Sequence, residues 1–75
     1  MQKTETNHIQ ERFLAETENT QRLVTVFLMN GYQIKGHLAG HDTFAVILMT
    51  DGKQQMIYKH AISTIVPEKP VELEE

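Results

Sequence analysis

The sequence predicts a mainly β domain, one N-terminal α-helix followed by a five-stranded, strongly bent antiparallel barrel. Three observations lead there. Five short runs rich in β-branched and apolar residues follow one another from Val24 to Val66. Two of the joins are Asn30-Gly31 and Asp51-Gly52, pairs that tolerate the positive φ of tight hairpins. A glycine, Gly36, stands inside the second run, where a strand bends sharply or meets another backbone closely.

Residues 1–7 are polar and expected to be disordered. Asn7 and Gln10 have capping-box spacing, and Ile9, Phe13, Leu14 and Thr17 recur at helical intervals. These features predict an amphipathic helix from about His8 to Glu18, with Ile9, Phe13 and Leu14 laid on the body of the domain. Strands are expected over Val24–Met29, Tyr32–Leu38 (ended by Gly40), Thr43–Met49, Gln54–Tyr58 and Ala61–Val66, the last stopped by Pro67. The organised domain is thus 8–67. Residues 68–75 form an acidic tail with too little apolar surface to fold.

Seventy-five residues make one domain with a modest core, for which oligomerisation is a natural source of stability. No cysteine is present, so disulfides and thiolate metal sites are excluded, and a reducing cytoplasm fits. No apolar run approaches the ~20 residues that cross a bilayer, and the polar N-terminus is not a signal peptide. The net charge of −3 arises in the tail, where four glutamates face one lysine; the acids and bases before Glu68 cancel. Five strands seldom close completely. The fifth, with Ile62, Ile65 and Val66, is too apolar for a free edge, and pairing with an identical copy, repeated head to tail, closes a ring.

A two-residue loop at Asn30-Gly31 would set Phe27 opposite Ile34 and Met29 opposite Tyr32. Val24, Val26 and Leu28 would then share the other face with Gln33, Lys35 and His37. Taking the valine side as core leaves Phe27, Tyr32 and Ile34 as an aromatic-aliphatic platform beside Gln33, Lys35 and Gln55. Such platforms stack nucleobases at ~1–3 kcal/mol per base. The same side chains also suit core or a subunit interface, Phe27 more than Tyr32.

Four histidines raise the question of a metal, but His37 and His41 lie on strand and turn, where a spacing of four does not bring them together. His8 and His60 stand alone, no His-Glu-x-x-His motif occurs, and solvated surface histidines are the expectation. Ser63 near His60 has neither a nucleophile elbow nor an orienting acid. No enzyme, metal or cofactor is expected. The stretch Tyr58-Lys59-His60-Ala61-Ile62-Ser63-Thr64 is the most informative, because its corner sets a cation beside a ring that stacks or exchanges a proton, a pair suited to a polyanion with flat bases.

That string resembles the closing signature of the bacterial RNA chaperones of the Hfq type, in the Sm-like family. The likeness spans roughly Ile9 to Pro67 and includes Ile9-Gln10-x-x-Phe13-Leu14, Asn30-Gly31, Gly36 and Asp42-x-Phe44 in matching order. The resemblance implies an Sm-like (SH3-like) barrel in a homohexameric ring that binds small regulatory RNAs and mRNAs in the cytoplasm. It implies uridine-rich RNA on the proximal, helix-bearing face at Gln10, Thr43, Phe44, Tyr58, Lys59 and His60. It implies adenine-rich RNA on the distal face at Phe27, Asn30, Gly31, Tyr32, Ile34, Lys35, Gln55 and Thr64. The chain departs from the family's arginine-rich rim, having Glu16, Glu18 and only Arg22 there, which points to weak RNA annealing. His41 and Thr43 replace the usual Phe and Gln or Asn. The tail acids Glu72, Glu74 and Glu75 either compete with RNA for basic groups or are simply solvated. A rival without the family is a structural or peptide-binding SH3-like oligomer.

Overall fold

In a computed structural model, residues 2–73 are described, with side chains from Ile9 onward. The order is α1 (Gln2–Thr20), β1 (Leu23–Leu28), β2 (Gln33–His41), β3 (Ala45–Thr50), β4 (Lys53–Tyr58), a 3-10 turn (Lys59–Ala61) and β5 (Ile62–Pro67). The five strands form one antiparallel sheet in the order β4-β3-β2-β1-β5. Among the described residues, no helix is long and apolar enough to cross a membrane.

The helix begins at Gln2, so the backbone of residues 2–7 is helical where disorder was expected, and Asn7 sits inside the helix rather than at its cap. No glycine or proline interrupts 2–20, and a nucleated helix extends by one hydrogen bond per residue fixed. Leu14 and Thr17 are buried, and the Thr17 hydroxyl donates to the Phe13 carbonyl at 2.6 Å. Phe13 packs on the core, whereas Ile9, expected to do so, is 62% exposed because it lies a full turn beyond the residues that meet the sheet.

The core holds Leu14, Val24, Val26, Leu38, Val46, Leu48 and Ile57, so the valine side of β1 is indeed the inner one. The first hairpin differs from expectation. Leu28 N–H donates to Tyr32 O at 2.8 Å and Gly31 N–H to Leu28 O at 2.9 Å, which makes Met29-Asn30-Gly31 a three-residue loop. Val26 therefore faces Ile34, and Phe27 faces Gln33. One residue of register moves every side chain to the other face. Ile34 turns inward and packs on the core, while Gln33, Lys35 and His37 join Phe27 outside.

β2 continues through Gly40 to His41, with a register shift between Leu38 and Gly40 against β3. Such a bulge bends its strand and increases the local twist. Gly36 marks the close approach that was one of its two expected roles: a Cβ there would overlap the Met49 carbonyl oxygen and come within 2.6 Å of the Thr50 hydroxyl. At Asp51-Gly52 the loop has the expected two residues, with φ of 51° and 79° and Thr50 paired to Lys53. β4 and β5 each keep an unpaired edge among the described residues, with Met56, Tyr58 and Val66 exposed along them.

Candidate functional site

Two surfaces gather the expected residues, one around the Lys59–Ala61 turn and one on the outward side of β1 and β2. On the first, β4 ends at Tyr58 and the chain turns through Lys59–Ala61. The Tyr58 and His60 rings stack, with centroids 5.7 Å apart and planes at 7°. Lys59 N–H donates to the Phe44 carbonyl at 2.8 Å, joining this turn to the Asp42–Ala45 turn. Asp42 Oδ1 accepts the N–H groups of Phe44 at 2.8 Å and Ala45 at 2.9 Å, so a short carboxylate fixes the loop that projects Phe44. Those bonds, Phe44 first and Ala45 next, hold the Asp42 carboxyl below its usual pKa; desolvation opposes them, and Lys59 and His41 assist.

Phe44 is 73% exposed and Tyr58 51%, leaving two aromatic faces open next to a lysine and an imidazole. Gln10 and Lys59 line one cleft of about 260 Å³ with Phe13, Val46, Ile62 and Ile65, between the helix and β5. Thr43, exposed, precedes Phe44. The arrangement offers planar surfaces for stacking, an amide for a base edge and a cation for phosphate.

On the outward side of β1 and β2, Thr64, Phe27 and Gln33 lie in one cross-strand row, and Thr25 and Lys35 lie in the next. Tyr32, 72% exposed, stands at the hairpin end, where Asn30 Oδ1 accepts its N–H at 3.0 Å. Gly31 takes φ 96°, a conformation that side chains resist. Met29 N–H donates to Ala61 O at 2.9 Å, so the hairpin is tied to the Lys59–Ala61 turn. Ile34 is not part of this surface. Gln55, on β4, pairs with Leu48 of β3 at the opposite end of the sheet from β5, and one protomer does not bring it to Phe27.

At the end of the helix, His41 Nδ1 lies 3.0 Å from Glu18 Oε1, both side chains being partly buried. His41 is thus engaged, against the expectation of a solvated ring. The pair spans 23 positions, and nothing local in the sequence announces it. Sequence reasoning also missed the Tyr58–His60 stack, whose only signal was alternation along a strand that the turn then alters. Gln33, Lys35, His37 and Ile34 were assigned to the wrong faces.

Residues 9–72 match the family described as Hfq protein. The chain belongs to the Hfq family. An RNA-binding protein Hfq from Bacillus velezensis is 54% identical over 67 residues, covering 89% of this chain and 92% of the relative. One from Geobacillus is 55% identical, covering 89% and 90%. The crystal structure of the pleiotropic translational regulator Hfq superposes with a TM-score of 0.76 at 46% identity, covering 77% of this chain and 97% of the other. The helix and five-stranded sheet described above are therefore the Hfq fold, and both surfaces lie inside the region that matches the family.

Proposed function

We propose that this protein is an RNA chaperone acting in post-transcriptional regulation, a homohexameric ring with two RNA-binding faces. Uridine-rich ends bind the helix-bearing face through Gln10, Thr43, Phe44, Tyr58, Lys59 and His60. Adenine-rich strands bind the opposite face through Phe27, Asn30, Gly31, Tyr32, Lys35, Gln55 and Thr64. The observation that carries this reading is that exposed aromatic rings and cations share two separate places: Phe44 and Tyr58 at the turn that carries Lys59, and Tyr32 just before the strand that carries Lys35. The names of the Bacillus and Geobacillus relatives support RNA as the ligand.

The unpaired edges of β4 and β5 support the ring. Pairing the free edge of β4 in one copy with β5 in the next covers Met56 and Val66 and sets the strand of Gln55 beside that of Thr64. Repeating Lys59 around the axis gathers positive potential on a subunit whose folded part is nearly neutral. At the rim, Glu16 and Glu18 repel phosphate and only Arg22 attracts it, so strand annealing is weak. A large acceleration of annealing that survives replacing Arg22 would refute that last point.

The test uses short labelled oligouridylate and oligoadenylate with two variants. Replacing Lys59 and His60 together should abolish oligouridylate binding and spare oligoadenylate, and Tyr32→Ala should do the reverse. Loss of both ligands in either variant would contradict two separate faces.

A further inference from the structure

Beyond the Phe27 row, the outward side of the sheet carries a second feature. Leu23 pairs with His37, and His37 with Met49, so these three side chains form a cross-strand row one pleat past Thr25 and Lys35. A notch of about 290 Å³ opens here, lined by Leu23, Lys35, His37, Met49 and Asp51. Bare backbone at Gly36 contributes to its wall, and the Thr50 hydroxyl is turned away into a bond with Lys35 O at 2.9 Å. Drug-sized ligands occupy cavities from about 300 Å³ upward, so this one suits a smaller planar group.

We propose that the notch is an additional nucleobase site, in which an adenine of a bound strand stacks on His37 between Leu23 and Met49. The inference rests on the RNA-binding reading above and extends its adenine-binding face. The His37 ring is exposed and has apolar side chains across both neighbouring strands, so a flat partner can stack on it against apolar surface. Lys35 stands between this row and the Phe27 row, placed to meet the phosphate joining two bases, one in each. Asp51, which also lines the notch, accepts hydrogen bonds only. It suits the exocyclic amine of adenine, where uracil presents the O4 carbonyl oxygen instead. Charge and shape thus select the same class of strand that the adjoining platform selects.

The experiment measures affinity for labelled oligoadenylate and oligouridylate with the full chain and three variants, His37→Ala, His37→Phe and Tyr32→Ala. His37→Ala should weaken oligoadenylate about tenfold, the effect of one lost stack, and leave oligouridylate unchanged. His37→Phe keeps a ring and should restore most of the affinity. If His37→Ala matches wild type while Tyr32→Ala loses oligoadenylate, the notch is overturned and the RNA-binding reading stands. Equal weakening of both ligands by His37→Ala would also overturn it, since the residue would then act through the fold. If the unaltered protein binds neither ligand, both readings fall.

Discussion

The two hairpins carry the same sequence signal and use it differently. Asp51-Gly52 is a two-residue loop with positive φ at both positions, and its strands pair residue for residue from Thr50 to Lys53. Asn30-Gly31 belongs to a three-residue loop in which only Gly31 has positive φ and Asn30 acts through its side chain, accepting the Tyr32 N–H. The extra residue, Met29, donates its N–H to Ala61 across the neighbouring turn. A polar-glycine pair thus signals that a hairpin exists, while contacts beyond the turn decide its length and hence which face each strand shows. Here that choice puts Gln33, Lys35 and His37 outside and Ile34 inside.

The largest expected effect tests the glycine lying between the two hairpins. Gly36→Ala would drive a methyl group into the Met49 carbonyl and the Thr50 hydroxyl, and should destabilise the fold by about 1–3 kcal/mol or more in denaturant melts. Gly40→Ala, whose Cβ would meet Ile47 at ordinary contact distance, should cost clearly less. Next come the turn glycines. Gly31→Ala and Gly52→Ala each force a side chain into the left-handed region and should cost about 1–2 kcal/mol.

The asymmetry between the hairpins is sharpest at their first polar residues. Asn30→Ala removes the acceptor for Tyr32 N–H and should lose about 0.5–1.5 kcal/mol. Asp51→Asn keeps a residue tolerant of positive φ and should stay within about 0.5 kcal/mol of wild type. Equal losses would erase the distinction between a side-chain-held loop and a backbone-held one. The smallest effect concerns the Asp42 turn. Its folded carboxyl is held below the usual aspartate value of about 3.9, so its contribution to stability is present above about pH 4 and fades as pH falls through the lower folded value. Asp42→Asn, which retains an acceptor oxygen, should flatten that acid limb of the stability curve and leave neutral stability nearly unchanged. An unaltered acid limb would contradict the assignment.

Much of this molecule was legible from composition and spacing. The β-branched runs, the two Xaa-Gly joins and the valine face of β1 follow from local chemistry, and the structure has them. The matching motifs from Ile9 to Thr64 placed the chain in its family. What was not legible depends on distance along the chain. The first hairpin's register rests on a bond from Met29 to Ala61. The engagement of His41 rests on Glu18, a helix residue far away in sequence. The start of the helix at Gln2 rests on propagation, which a capping pattern at Asn7 does not report. The tail acids Glu74 and Glu75 lie outside the described residues, and the competition expected of them is tested by truncation after Pro67, which should raise RNA affinity chiefly at low salt. Identical binding with and without the tail would end that idea.

Every RNA contact proposed here gains its strength from repetition around a ring, and the unpaired β4 and β5 edges are what would build it. Native mass spectrometry of the purified protein measures this directly. Six copies in one particle, carrying oligouridylate and oligoadenylate at the same time, is the predicted result. A lone 8.6 kDa chain that takes up neither oligonucleotide would contradict it.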